Sequence, residues 1–232
     1  MWIEVVNAFD IWNISAIGIF LIAWLLYPLI ARLINSEDLT AEITLYRIQW
    51  LTQMLGREDR ITDVSLARGL FSSVMFLAST SILLISGLLG VLVTASYLHG
   101  FVQDSAWLVA TSLILFETKI IFLIIIQAHS FFKFTWSMRL HSYTMILIGA
   151  APNVADRDSE AARVLVDKGA KLSNFASQSY FSGLRGYYFG LAALTWFISP
   201  QMLIIATVAT TITLIHREQF SIAMRILKRD AE

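Results

Sequence analysis

The chain has 232 residues, of which 57% are hydrophobic and only 15% are charged. Soluble globular domains usually have about 45–50% apolar and about 25% charged residues, so the composition argues against a soluble domain and predicts an integral membrane protein. The formal net charge is zero and cysteine is absent, which excludes a global field that attracts nucleic acid, disulfides and thiolate metal sites.

The first apolar run covers residues 11–33 and is long enough to cross a bilayer, which takes about 20 residues. Trp12 and Tyr27 lie near its ends, where aromatic residues typically anchor a span at the membrane interface. The residues before it carry Glu4 and Asp10 but no Lys or Arg, so the basic start of a cleavable signal peptide is missing. We interpret the run as a signal anchor.

Further along the chain, two apolar runs predict a second span over residues 70–98 and a third over 106–128. The next apolar stretch, from residue 184 to 215, is too long for one span. Ser199-Pro200 divides it, because proline lacks an N–H donor and restricts the residue before it. We therefore predict a tight hairpin of two spans, residues 184–198 and 201–216.

The distribution of basic residues tests this count, because Lys and Arg concentrate in cytoplasmic segments. With five spans and the N-terminus outside, the cytoplasmic segments are 32–68, 130–185 and 217–232, and they contain every Lys and Arg except Lys119. A four-span topology would instead place Arg217, Arg225, Lys228 and Arg229 outside. We predict an all-α membrane bundle of about five spans, N-out and C-in, that forms a single domain over 1–232 and that in a bacterial cell would lie in the inner membrane.

The cytoplasmic segments predict helices of their own. Residues 41–55 form a helix with one apolar side, which either packs on other cytoplasmic helices or lies in the membrane interface. Residues 131–183 prolong the third span, with a break at Pro152-Asn153 and a new helix near Asp158-Ser159. Gly169 leaves the continuity of that last helix open.

Glu117 and Lys119 are the most unusual residues, because they are charged residues inside the third predicted span. A charge at the centre of a bilayer costs on the order of 2.5–3.5 kcal/mol, and such residues usually face the protein interior or water. Side chains two residues apart on a helix point in directions that differ by about 200°, so Glu117 and Lys119 should not pair with each other. They are candidates for buried ionic locks between helices, for a permeation or proton path, or for catalysis.

The second span carries small residues on one side, most of them seven positions apart. Small residues allow helix backbones to approach closely in lipid, so this side predicts either close packing inside one subunit or a hydroxyl-lined aqueous path. The residues of this predicted seam are Ser65, Gly69, Ser72, Ser79, Ser86 and Gly90.

Two more groups lie where the spans meet the cytoplasmic side. Lys133, Trp136 and Arg139 belong to an aromatic and basic stretch, which suits lipid headgroups or the inner mouth of a path. His129 and His216 are weak candidates for haem ligands, although no spacing motif supports them. We expect no cofactor and no metal site, and no catalytic motif is found.

Several blocks of the chain resemble a family of bacterial and plant membrane proteins known as domain of unknown function number 599. The resemblance covers most of the chain from about Arg47 to Arg217 and implies a multi-spanning membrane protein without an assigned activity. The matching blocks are Arg47-Ile-Gln-Trp50 with Met54-Leu55, Phe76-Leu-Ala-Ser-Thr80 with Ile82-Leu-Leu, Glu117-Thr-Lys119, Phe131-Phe-Lys-Phe-Thr-Trp136 with Arg139, Ile148-Gly-Ala-Ala-Pro152, Leu184-Arg185, Tyr187-Tyr-Phe189 and Trp196-Phe197.

Three function classes follow from this sequence. The first is a small homo-oligomeric channel or transporter in which Glu117 and Lys119 line or gate a polar route. The second is an interaction or assembly subunit of a larger membrane complex, which would use the small-residue seam and the buried charges as contact surfaces. A lipid-modifying membrane enzyme is the third, weakened by the missing catalytic motif. The expected partners are membrane lipids and either further copies of the chain or a membrane complex, and not nucleic acid.

Overall fold

The computed structural model describes residues 10–34, 39–103 and 111–219. Every regular element among these residues is an α-helix or a short 3₁₀ turn. The predicted all-α fold is therefore confirmed for the part of the chain that the structure describes.

The first half of the chain forms five helices. Their bounds are α1 Ile11–Leu25, α2 Tyr27–Ile34, α3 Leu39–Leu55, α4 Ile61–Val93 and α5 Ala95–Gln103. The second half forms three longer helices and two 3₁₀ turns. Their bounds are α6 Leu113–Gly149, a 3₁₀ turn Val154–Asp156, α7 Glu160–Leu194, a 3₁₀ turn Thr195–Phe197 and α8 Pro200–Gln219.

The apolar run 11–33 contains two helices rather than the single helix that the sequence predicted. Pro28 is the second residue of α2, where it has no N–H to donate to the carbonyl of Trp24 and where its ring would clash with that carbonyl in a continuous helix. The chain therefore breaks at Leu26, whose backbone N–H still donates to the carbonyl of Ile22 at 3.0 Å.

The second and third predicted spans also have different bounds in the structure. α4 begins at Ile61, well before residue 70, and ends at Val93, before residue 98. The side chain of Thr94 donates to the carbonyl of Gly90 at 2.9 Å at this end. α6 begins at Leu113, and residues 106–110 of the third predicted span lie outside the described residues.

The helix boundaries with clear local signals are confirmed. α6 continues without interruption to Gly149, and Pro152-Asn153 separates it from α7. Ser159 caps α7 by accepting a hydrogen bond from the backbone N–H of Ala162 at 3.2 Å. α7 then runs through Gly169 to Leu194, and α8 begins directly at Pro200.

Two described helices, α4 and α6, are long and apolar enough to cross a membrane. The two helices differ in how far other parts of the chain cover their most apolar stretch. In α4 11% of that stretch is buried, and in α6 44% is buried. α6 is therefore partly a core helix, whereas α4 presents most of its apolar surface to the outside of the chain.

The contacts within the chain divide it into two compact units. The first unit comprises the described residues of 1–36, 80–130 and 184–220. Its core is apolar and rich in aromatic rings, with Phe20 packed edge-on against Phe122 at 5.1 Å and against Phe189 at 5.7 Å between ring centroids.

The second unit comprises the described residues of 37–79, 131–183 and 221–232. Its apolar core joins α3, α4, α6 and α7 through Leu51, Met54, Ala67, Ile148 and Val166. α3 and α7 approach closely, because a Cβ built on Gly169 would lie 3.0 Å from Cδ1 of Leu51. Three boundaries between the units fall inside α4, α6 and α7, and the others lie outside the described residues. The single transmembrane domain stays a prediction.

Candidate functional site

Lys119 is enclosed by aromatic rings in the first unit. Its ammonium nitrogen lies 5.6 Å from the ring centroid of Trp196 and 5.5 Å from that of Phe197, and the residue is only 2% exposed. A cation at this distance is attracted by the electron-rich face of an aromatic ring. Within the described residues no carboxylate forms an ion pair with Lys119, so the two rings are the groups that face its charge.

The rings around Lys119 are held by contacts from other helices. The indole N–H of Trp196 donates to the side-chain oxygen of Asn13 on α1 at 2.8 Å. Phe197 packs edge-on against Phe116 of α6, with 5.7 Å between ring centroids. We call Asn13, Phe116, Lys119, Trp196 and Phe197 the Lys119 cluster.

Glu117 does not join this cluster. It is half-buried, and no hydrogen bond or ion pair links it to Lys119 or to any other residue in the described ranges. Because α6 begins at Leu113, both charges lie in the first two turns of this helix. The candidate roles of Glu117 and Lys119 as ionic locks, as part of a permeation or proton path, or in catalysis stay predictions.

A second polar cluster lies in the first unit, on α2, α7 and the last turn of α8. The Tyr27 hydroxyl donates to Oε2 of Glu218 at 3.0 Å, and Arg185 lies 3.5 Å from Oε1 of the same carboxylate. Arg185 also lies over the ring of Tyr27 at 5.2 Å, and Arg217 donates to the Tyr188 hydroxyl at 3.0 Å. We call these residues the Glu218 cluster. Sequence reasoning missed it because its members come from α1–α2, α7 and α8.

The buried residues between the two clusters are mainly apolar, and the buried polar residues of the first unit include Gln127, Ser130 and Thr207. On α1, Ala16 and Phe20 are the buried positions between Asn13 and Tyr27. On α8 the buried Thr207 donates to the carbonyl of Leu203 at 2.7 Å, so its hydroxyl is satisfied within its own helix. The first unit therefore has an apolar middle and polar, aromatic ends.

The predicted small-residue seam lies on the outside of α4. All six of its residues, Ser65, Gly69, Ser72, Ser79, Ser86 and Gly90, are exposed. No atom lies within 4 Å of a Cβ built on Gly69 or Gly90. The expectation that this seam packs inside one subunit is therefore wrong for the described chain.

The opposite side of α4 makes the contacts with the rest of the chain. Its buried positions are Asp63, Ala67, Val74, Ala78 and Ser81. Ser81 shares a hydrogen bond of 2.8 Å with the Tyr187 hydroxyl in the first unit. Both sides of α4 repeat with steps of three, four and seven residues, so the sequence alone could not distinguish the packed side from the open one.

Lys133, Trp136 and Arg139 lie on α6 within the second unit. Arg139 and Trp136 are exposed, and the guanidinium lies 5.9 Å from the indole ring centroid. Lys133 is partly buried one turn earlier. The three residues form a basic and aromatic surface, and their role at headgroups or at a channel mouth stays a prediction.

The two haem-ligand candidates lie in different helices of the first unit. The His129 ring packs edge-on against Trp24, with 5.1 Å between ring centroids, and His216 lies in the last turn of α8. Within the described residues, no group of three or more His, Cys, Asp or Glu side chains could hold a metal ion. The absence of a cofactor stays a prediction.

Arg47 belongs to a partly buried polar cluster in the second unit that sequence reasoning did not identify as a site. Its guanidinium donates to the Ser177 hydroxyl at 2.6 Å and to the side-chain oxygen of Asn174 at 3.4 Å. Burial lowers the pKa of this guanidinium below its usual value. The only signal in the sequence was the presence of Arg47 in a block that matches the family pattern, since its partners lie about 130 residues away.

The comparisons with known proteins identify a family and nothing more specific. Residues 15–223 match the family described as "Protein of unknown function, DUF599". The match covers most of the 232 residues, so the chain belongs to this family, as the sequence blocks predicted. Searches of the curated proteins and of the solved structures gave no match.

Proposed function

We propose that this member of the family is a multi-spanning membrane protein that works as an assembled subunit, with the outer face of α4 docked against α4 of a second copy. Two lines of support carry the proposal. The first is the arrangement of polar and apolar residues in the first unit, which supports a membrane location. The second is the open, small-residue side of α4, which supports assembly.

The first unit matches the polarity profile of a bilayer. Its apolar middle would lie in the hydrocarbon core, with the Lys119 cluster toward the outer side and the Glu218 cluster toward the cytoplasm. α8 carries no Asp, Glu, Lys or Arg from Pro200 to His216, a rise of about 25 Å at about 1.5 Å per residue. This length is close to the hydrocarbon thickness of about 30 Å, which supports α8 as one of five crossings.

The single observation that carries the assembly function is the exposed seam on α4. In lipid, helices associate through close van der Waals packing and interhelical hydrogen bonds, and small residues favour both. Ser72, Ser79 and Ser86 make no hydrogen bond within the described chain, so their hydroxyls are available to a neighbouring helix. A second copy is the favoured partner, because a two-fold axis brings the same patch of both subunits together.

Size measurement of the purified protein tests this proposal. We expect the full chain in maltoside micelles to give an oligomer by native mass spectrometry. Ser79→Phe and Ser86→Phe should shift it to monomer, because a large ring on the seam prevents close approach. Leu84→Phe is the matched control, since Leu84 is exposed on a different side of α4 and its variant should remain assembled. A native monomer, or equal effects of all three variants, would contradict the proposal.

Lys119 supports a second candidate function, a channel or transporter for protons or small ions. A buried lysine without a carboxylate partner in the described chain is a feature of charged transport paths. Flux of ions and protons into proteoliposomes tests this candidate, with the native chain compared with Lys119→Met and Glu117→Gln. Flux that changes in a folded variant supports a path through these charges. Absence of flux for cations, anions and protons contradicts passive conduction.

A further inference from the structure

The half-buried guanidinium of Arg47 forms no ion pair with a described residue. Arginine has five N–H donors, and the two hydrogen bonds of Arg47 go to the neutral groups of Asn174 and Ser177. Asp63 accepts from Trp50 and Arg57, and Asp167 pairs with Lys171. Among the described residues, no carboxylate is left within ion-pair distance of Arg47.

His141 on α6 and Ser173 on α7 lie within a turn of residues at the contact between these two helices. Ser137 on α6 donates to the carbonyl of Ala176 on α7 at 2.7 Å, and the two helices run antiparallel. One turn further along α6 is His141, and one turn back along α7 is Ser173, so the two residues lie opposite each other. Burial lowers the pKa of the His141 imidazole, and the positive charge of Arg47 lowers it further.

His141 is the second, independent sign of a missing group. The residue is 4% exposed, and its ring nitrogens make no hydrogen bond with any described residue. A polar group that loses contact with water and gains no partner costs on the order of 1–3 kcal/mol. Among the described residues, Arg47 without an ion pair and His141 without a hydrogen bond both belong to the second unit, where α3, α6 and α7 pack together.

The free groups at this place are mainly donors. Because Asn174 accepts from Arg47 through its oxygen, its amide nitrogen is left to donate. Ser177 accepts from Arg47 through Oγ, so its hydroxyl hydrogen is also free. Guanidinium, amide and hydroxyl donors around one positive charge match the oxygens of a phosphate group, which arginine binds in paired hydrogen bonds.

We infer that Arg47, His141, Ser173, Asn174 and Ser177 form a binding site for a phosphate-type oxyanion in the second unit. The ligand supplies the negative charge that Arg47 lacks and accepts hydrogen bonds from the surrounding side chains. Two sources share this chemistry, namely free inorganic phosphate and the phosphate of a lipid headgroup. The site does not use the outer face of α4, so it stands or falls separately from the proposed assembly.

Calorimetric titration of the full chain tests the site. The protein is purified in maltoside without phosphate or sulfate, because a phosphocholine detergent would itself occupy the site. One arm adds inorganic phosphate, and the other measures phospholipid retained by the purified protein with mass spectrometry. We expect phosphate binding, retained phospholipid, or both, and Arg47→Gln should weaken the affinity or the retention by about tenfold or more.

Arg163→Gln is the matched control, because Arg163 is an exposed arginine of the same unit and its variant should bind like the native chain. If Arg47→Gln does not fold, Ser177→Ala replaces it and should lower the affinity while leaving the guanidinium in place. Absence of both phosphate binding and retained phospholipid overturns the inference. So does binding that Arg47→Gln or Ser177→Ala leaves unchanged, or that Arg163→Gln reduces equally.

Discussion

The indole N–H of Trp196 donates a hydrogen bond of 2.8 Å to the side-chain oxygen of Asn13, a residue 183 positions earlier in the chain. Both residues are buried. This bond ties the start of α1 to the turn between α7 and α8, and it holds the indole ring that faces Lys119.

Asn13→Leu should destabilise the fold, because it leaves the buried indole N–H without an acceptor. The expected loss is about 1–3 kcal/mol in the free energy of unfolding, measured by thermal denaturation in maltoside. Ser15→Ala is the control, since Ser15 is exposed and bonds only to the carbonyl of Trp12 within its own helix. Equal melting temperatures for the two variants would contradict a role for the Asn13–Trp196 bond.

Gly186 and Gly87 should respond in opposite ways to alanine. A Cβ on Gly186 would collide with the Ser130 side chain, whereas nothing lies within 4 Å of a Cβ on Gly87. We expect Gly186→Ala to cost about 1–3 kcal/mol through overpacking. Gly87→Ala should be neutral or stabilising by up to about 1 kcal/mol, because alanine favours the helix.

Thermal denaturation of the two glycine variants measures this contrast. The double variant Gly186→Ala with Ser130→Gly should recover stability, because it removes the side chain that the new methyl group meets. Failure of this rescue, or a melting temperature of Gly186→Ala equal to that of the native chain, would contradict close packing of α6 on α7 at this point.

Lys119→Met should leave the fold as stable as the native chain or make it more stable. Methionine keeps most of the volume and removes a buried charge that has no ion pair in the described chain, and such a charge usually costs stability. Lys119→Ala is the comparison, because it removes the charge and also leaves a cavity, so it should lower stability. If both variants lose stability equally, the ammonium–ring contacts are structural and the transport candidate loses its main support.

Local signals in the sequence predicted several helix boundaries. They could not predict which residues pack against one another in the folded chain. The cap at Ser159 and the start of α8 at Pro200 depend on neighbouring residues, which the sequence displays directly. The two sides of α4 carry the same three- and four-residue spacing, so only the packed structure reveals that Ala67 and Val74 are buried and that Ser72 and Ser79 are not.

The candidate sites depend on the same distinction. The sequence itself indicates Glu117 and Lys119 as a candidate site, because charged residues are rare in an apolar run and this signal is local. Arg47 lies in an ordinary polar helix, and its unbalanced charge becomes visible only when α7 brings Asn174 and Ser177 to it. No single-sequence pattern contains that information, because the contacts join residues about 130 positions apart.

Disulfide cross-linking between single cysteines on α4, in native membranes, tests assembly through this face most directly. The chain contains no cysteine, so each variant carries only the one that is introduced. Cysteines at positions 72, 79 and 86 should give covalent dimers on mild oxidation, whereas cysteines at the exposed Leu84 and Val91, on another side of the helix, should remain monomeric. Dimers at positions 84 and 91, or none at 72, 79 and 86, would contradict assembly through the outer face of α4.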